Sequence, residues 1–394
     1  MLLGDLCKTG AGGTPLKSVK EYYDGGNVPW LLSGEVSQGE ITEAINFITR
    51  KGLENSSARL FPPNTVLVAM YGATAGQVGI LRFEAATNQA VCGILPSEHF
   101  LPEFLFYFFL HKKDYLVAQA AGNAQPNISQ IKIRNMGVPV APLPEQHRIV
   151  AILDEAFDGI ATARANAEKN LQNARALFES HLQSVFTERG EGWVEAPLCE
   201  LCDIKHGYAF EGEFFSSSGD YVLLTPGNFY EKGGYRDRGE KQKYYLGEIP
   251  RDYVLKEGDL LVAMTEQAAG LLGSPILVPE SDKFLHNQRL GLIVKKLGAS
   301  WSNEFFFYVF NTQTVRKEIH RTASGVKVRH TSPTKIGQVV VAFPSSTTEQ
   351  ARVVATLESL AAETRRLESL YQRKLVALDA LKHSVLHQAF SGQL

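Results

Sequence analysis

Toward the end of the chain, apolar side chains return every third or fourth position. Val353, Leu357, Leu360, Thr364, Leu367, Tyr371, Lys374, Leu378, Leu381 and Val385 step by 4, 3, 4, 3 throughout, which predicts a heptad seam on a long helix. The same spacing occurs earlier, at Ile149, Leu153, Ala156, Ile160, Ala163, Ala167, Asn170, Ala174, Leu177 and His181. The first seam is richer in alanine and the second in leucine, so small residues can face large ones. Asn170 and Lys374 stand at the same step and are read as polar seam residues that fix register and pairing direction. About 40 residues at 1.5 Å each make a rod of about 60 Å, more than one domain of this size needs for its own core. The expectation is therefore an antiparallel coiled coil formed by the two helices.

The two seams belong to a larger repeat. Glu145-Gln146-His147-Arg148-Ile149-Val150-Ala151 matches Glu349-Gln350-Ala351-Arg352-Val353-Val354-Ala355 at an offset of 204, and that offset holds without a gap through Leu171/Leu375, Leu177/Leu381 and Phe186/Phe390. Upstream, Leu67-Val68-Ala69-Met70 recurs as Leu261-Val262-Ala263-Met264, and Asn88-Gln89 as Asn287-Gln288. The offset drifts there, as it does where loops gain and lose residues, whereas a helix in fixed register tolerates no such change.

Short apolar runs such as Thr65 to Tyr71 and Ala90 to Leu95 predict strands, while Glu103 to Tyr115 and Asn303 to His320 predict helices. The fold class is α+β: two pseudo-symmetric mixed domains and two long helices. Residues 1–142 form the first domain, 143–190 the first spacer helix, 191–344 the second domain and 345–394 the second spacer helix.

Composition changes this picture little. The apolar fraction of 44% suffices for two cores. The net charge of −2 lacks the basic excess common in nucleic-acid binders, unless cations gather on one face. Cys199 and Cys202 form a lone CxxC with no second ligand pair, so they read as small core thiols and no metal is expected. No leader pattern opens the chain, and its most apolar run, Phe104 to Leu110, is far too short to span a bilayer. A cytoplasmic protein with no membrane contact is expected.

Several loops combine glycine with residues suited to base edges and phosphates. Asn and Gln pair with adenine, and Arg or Lys with guanine, in a major groove, while Lys and Arg also hold phosphates. The candidates in the first half are Lys8, Thr14, Tyr71, Gln77, Asn123, Gln125, Asn127, Lys132 and Arg134. In the second half they are Tyr230, Lys232, Arg236, Arg238, Thr265, Gln267, Arg289, Lys327, Arg329, His330 and Lys335. Two domains reading different sequences should differ where they read. The shared Asn88-Gln89 and Asn287-Gln288 are therefore read as structural, bonding a turn. Tyr71 against Thr265, and 123–127 against 326–330, are better reader positions.

Catalytic motifs are missing. The only Pro-Pro, Pro62-Pro63, lacks the order of the Asn/Asp-Pro-Pro-aromatic loop of an amino methyltransferase. Walker A, dinucleotide, GxSxG and HExxH patterns are also absent. No catalytic residue or bound cofactor is therefore assigned.

With its repeat, its Pro144-Glu145-Gln146-His147-Arg148-Ile149-Val150 helix start and its ending His387-Gln388-Ala389-Phe390-Ser391-Gly392-Gln393-Leu394, the chain resembles the specificity (S) subunit of type I restriction–modification systems. It departs in the second half, where Thr347-Thr348 replace the Leu-Pro before Glu349-Gln350. The resemblance implies two target recognition domains that each read half of a bipartite, asymmetric site on double-stranded DNA. The helices would set the spacer and dock two methyltransferase (M) subunits, which carry S-adenosylmethionine, and through them restriction (R) subunits. A non-DNA scaffold or adaptor with a coiled-coil surface is the alternative, and salt-dependent DNA binding separates the two.

Overall fold

The computed structural model describes residues 1–119, 127–267 and 270–394. It divides into two compact units: residues 1–169 with 372–394, and residues 170–371. Each contains one globular domain and part of both long helices.

In the first unit the main sheet runs in the order Thr9–Ala11, Val91–Ile94, Thr65–Ala69, Val78–Leu81, Glu40–Ile41. All pairings are antiparallel except the last. Its central strand, Thr65–Ala69, is buried at every position because both faces are covered. Val66 and Val68 pack against Phe104, Leu105 and Phe108 of the helix Pro102–His111, while Leu67 and Ala69 pack with Leu31 and Phe61 on the other side. The second unit repeats this arrangement: Cys202–His206, Leu290–Lys295, Leu260–Ala263, Pro275–Leu277. Leu260 and Val262 meet the helix Asn303–Asn311, and Leu261 and Ala263 face the opposite cluster. Each unit also has a small sheet built on one parallel pair, Trp30 beside Ala86 and Val222 beside Phe284.

The single helices expected over 103–115 and 303–320 are each two. The first breaks after His111 and resumes over Lys113–Gln119. In the second unit extended Thr312 breaks the run, and its hydroxyl accepts from Val315 N to start Gln313–Thr322. The CxxC reading also needs correction. Cys202 is buried but Cys199 is exposed, so the pair is not two core thiols. Burial pushes the Cys92 and Cys202 thiols up to about 12.

The long helices span Leu143–Glu188 and Thr347–Ser391. The first unit's core takes Ile149 and Leu153 from one helix and Leu386, Ala389 and Phe390 from the other. The second unit's core takes Leu182 and Phe186 with Val354 and Leu357. A helix start meeting a helix end in both cores requires antiparallel pairing. Cross-helix polar contacts agree: Arg148 with the Leu394 carbonyl and Arg164 with Asp379 in the first unit, Arg175 with Glu368 in the second.

The heptad phase does not persist. Beyond Ile160 a buried and half-buried stripe runs through Ala163, Ala167, Leu171, Ala174, Phe178, Leu182 and Val185, with His181, Gln183, Ser184 and Phe186 also half-buried at its end. Beyond Thr364 a stripe runs through Leu367, Tyr371, Leu375, Leu378, Lys382, Leu386 and Ala389, with Glu368, Val385 and Phe390 half-buried beside it. Both follow a 3-4-4 spacing, an eleven-residue period of about 3.67 residues per turn that suits nearly straight helices better than a left-handed supercoil. Asn170 and Lys374 are consequently exposed and lie outside the seam, so they do not fix its register. Leu177 is 60% and Leu381 48% exposed for the same reason.

Candidate nucleic-acid interface

In both units the central strand ends in Met70 or Met264, and the loops around that end match bond for bond. Met70 N donates to Ala90 O and Ile128 N to Met70 O; Met264 N donates to Arg289 O and Thr331 N to Met264 O. Tyr71 then bridges Asn127, and Thr265 pairs with His330. Asn88 Oδ1 accepts from Ala90 N, and Asn287 Oδ1 from Arg289 N. The shared asparagines thus hold equivalent turns. A Cβ on Gly12 would lie 2.1–2.3 Å from Thr87 and Asn88, and one on Gly207 would lie 2.3–2.4 Å from His286 and Asn287. Only glycine permits that approach.

This scaffold sorts the sequence candidates. In the first unit Thr14, Tyr71, Gln77 and Asn127 lie near the Met70 end of the sheet, and Thr14 Oγ1 is bonded to Gln89. Lys8 lies at the opposite end, where its carbonyl accepts from Leu95 N, and it shares a groove with Asp5 and Arg134. Lys132 Nζ donates to Gln119 O at 2.9 Å. Asn123 and Gln125 lie outside the described residues.

In the second unit Thr265, Gln267, Arg289, Arg329 and His330 come together where the strands Thr265–Glu266 and Arg329–His330 pair. Lys327 is exposed on the intervening loop, and Lys335 Nζ reaches Ser324 Oγ at 2.6 Å. Arg329 is not free, since its guanidinium donates to the Nδ1 and carbonyl oxygen of His320. Tyr230 joins this end of the sheet through Ser274, whose hydroxyl donates to the Tyr230 carbonyl at 2.6 Å. Arg236 lies 6.0 Å from the Tyr230 ring centre. Arg238 donates its backbone N–H to Gln242 Oε1 of the buried Asn228–Gln242 pair, and Lys232 is paired with Glu179 of the long helix. The loop end of this unit therefore carries the cations Arg289, Lys327, Lys335 and Arg236 near Thr265 and His330, with the acids Glu231 and Asp237 on the same segment as Arg236.

Sequence reasoning missed two groups. Glu266 is buried directly beside the candidates Thr265 and Gln267, and nothing in the pattern marks an acid there as internal. Gln146 and Gln350 were visible as motif letters without a role. Both are fully buried at the helix starts. Gln146 accepts from Leu101 N at 2.9 Å and donates to His99 O and Ala141 O, both at 2.8 Å. Gln350 donates to Ser300 O, Ser300 Oγ and Pro344 O at 3.0–3.1 Å. The Thr347-Thr348 departure thus leaves the second joint with the same buried amide at the same place.

Comparison with known proteins follows the same repeat. The family model for the type I restriction modification DNA specificity domain matches residues 1–171 and again 190–374. The type I restriction enzyme EcoR124I/EcoR124II specificity subunit of Escherichia coli is 25% identical over 41% of this chain and 41% of its own length. The MjaVIII specificity subunit of Methanocaldococcus jannaschii is 23% identical over 82% of this chain and 76% of its own. A chain from a structural study of complex assembly and conformational transition of the type I R-M system superposes with a TM-score of 0.79 at 19% identity. That superposition covers 100% of this chain and 97% of the other. With two matches that together cover most of its length, the chain belongs to the type I restriction modification DNA specificity domain family.

Proposed function

We propose that this chain is the DNA-specificity subunit of a type I restriction–modification complex, in which each unit reads one half of a bipartite, asymmetric site on double-stranded DNA. The observation that carries this reading is the pair of matched loop clusters beyond Met70 and Met264. Their backbone bonds are the same and their exposed or half-buried side chains differ: Tyr71 and Asn127 against Thr265 and His330, Ala90 against Arg289. A shared frame with unshared side chains is what two readers of unlike sequences require.

The chain itself is the non-catalytic part of the assembly. Methyl transfer and its S-adenosylmethionine belong to two M subunits docked along the long helices, and cleavage to R subunits joined through them. The 46-residue first helix, about 69 Å long at 1.5 Å per residue, serves as the ruler for the unread gap between half-sites. No described helix is long and apolar enough to cross a membrane, which suits work on chromosomal DNA in the cytoplasm.

The test is methylation mapping of the genome with and without the gene, combined with exchange of residues 1–142 for the equivalent segment of a relative. The exchange should alter one half-site and leave the other and the spacer unchanged. Alteration of both half-sites, or a methylation pattern indifferent to the gene, refutes the proposal. Phosphate contacts further require DNA affinity of the complex to fall steeply between 50 and 200 mM salt.

A further inference from the structure

We infer that Glu266 is a positioning residue for the second half-site: its buried carboxylate fixes the loop 324–330 so that Thr265 and His330 present their side chains to DNA. The inference rests on the DNA-reading role proposed above and assigns a device within it.

Glu266 is 3% exposed. One oxygen, Oε2, accepts from three successive backbone amides, Gly270, Leu271 and Leu272, at 3.0–3.1 Å. The other, Oε1, faces Nδ1 of His320 at 3.6 Å and Nη1 of Arg329 at 3.7 Å. Arg329 in turn donates from Nη1 to His320 Nδ1 at 3.2 Å and from Nη2 to the His320 carbonyl. Burial is the main cause holding His320 below its ordinary value, and since a guanidinium can only donate, Nδ1 is the acceptor in the contact with Arg329.

Strand geometry turns this cluster into a pointing device. Glu266 is the cross-strand partner of Arg329, and Thr265 of His330. Neighbours along a strand project to opposite faces, so with Glu266 and the half-buried Arg329 on one face, Thr265 and His330 are directed the other way. The loop between them is closed by reciprocal bonds of 2.9 Å between Ser324 and His330. Its turn is limited to glycine at 325, where φ is +97° and a Cβ would sit 2.1 Å from Val328 O. A loop closed at its base by backbone bonds and anchored by one arginine has little freedom except through that anchor.

The fold does not need the charge. A buried ion cluster is costly and is weak evidence of stabilisation. The matched position in the first unit is Gly72, at φ +70°, and the bonds of Met70 to Ala90 and Ile128 form beside it without any carboxylate. Glu266 thus belongs to what differs between the units, along with the reader positions. Arg329, a sequence candidate for base contact, becomes an anchor, and the readers beside it are Thr265 and His330.

The test uses the complex reconstituted with its methyltransferase subunits on a library of DNA sites randomised in each half. Glu266→Gln keeps the size and an oxygen for the three amides but removes the charge facing Arg329. It should relax discrimination in the second half-site about tenfold and leave the first half-site unchanged. Arg329→Gln, which leaves the buried amide contacts alone, should do the same, and the double variant should add nothing further because the two act as one unit. Thermal unfolding of the single variants identifies any global loss of fold. Retention of wild-type discrimination in both single variants, while the wild type reads a bipartite site, overturns this inference alone. Relaxation of both half-sites together also overturns it. A wild-type complex with no sequence preference overturns this inference and the DNA-reading role together.

Discussion

The two buried glutamines at the helix starts offer a comparison in which the chain is its own control. Replacing Gln146 by alanine strands one buried donor, Leu101 N, and two carbonyls, His99 O and Ala141 O. Each buried polar group left without a partner costs about 1–3 kcal/mol. Partial hydration and relaxation reduce the sum, so about 3–5 kcal/mol is expected. Gln350 differs in one respect: it makes three donor contacts, but its Oε1 is buried with no hydrogen bond among the described residues. That oxygen already lowers the stability of the folded state, and Gln350→Ala removes it along with the favourable bonds. The second substitution should therefore cost less by about 1–3 kcal/mol, the desolvation penalty of one such group. Hydrogen exchange by mass spectrometry reads the two sites separately. Gln146→Ala should raise exchange in 99–111 and 143–153, and Gln350→Ala, more weakly, in 300–311 and 347–357. An equal or larger effect at Gln350, or a cost below about 1 kcal/mol at Gln146, would show that these amides do not bear the joints.

Three further outcomes follow from particular contacts. Burial depresses His286 from 6.5 to about 4. The unfolded chain therefore binds a proton that the folded unit excludes between those values, and stability is complete above about 6.5 and falls by on the order of 3 kcal/mol as pH drops to about 4. His286→Thr, the residue at matched position 87, should flatten that slope in urea unfolding followed by Trp193 and Trp301 fluorescence in a Trp30→Phe background; an unchanged slope contradicts the assignment. Phe390 lies 5.3 Å from Phe104 and 5.6 Å from Phe108 between ring centres, so Phe390→Ala should cost about 3 kcal/mol and raise exchange in the first unit, with protection unchanged there as the adverse result. Inserting eleven residues into each long helix beyond Ile160 and Thr364 keeps the 3-4-4 stripe whole, whereas seven leave it about 30° out of phase. The seven-residue variant should unfold at lower urea, and equal midpoints would argue against the eleven-residue period.

The repeat, the two long helices and the direction of their pairing were legible in the sequence because a gapless offset and a seam of apolar residues survive divergence. The phase was not. A 4-3 step and a 3-4-4 step differ by one residue in eleven, and Leu171 and Leu375 stand immediately after Asn170 and Lys374. Only burial reveals which member of each pair turns inward. The breaks at Lys112 and Thr312 escaped for a related reason: aromatic runs continue the apolar pattern up to each break, and a single extended threonine carries no periodic signal. The loops were legible as loops, but their composition did not show that the Arg329 guanidinium is engaged internally or that Lys232 is paired.

What separates scaffold from reader here is the duplication itself. Asn88 and Asn287 make the same bond, Gly12 and Gly207 the same approach, and Gln146 and Gln350 fill the same joint. Positions retained in both copies answer to a demand common to both, and for these residues, whose bonds and contacts are all internal, that demand is folding. Glu266 and Gly72 occupy one place and share nothing chemically. A buried carboxylate with a three-amide cradle is a costly addition that the matched strand end at Met70 does without, so it answers to something particular to the second unit. If the two units differ in the DNA they read, as proposed above, that something is the shape of the reading loop. Divergence between the copies at buried, charged positions is thus a better guide to specificity than the count of exposed cations on either one.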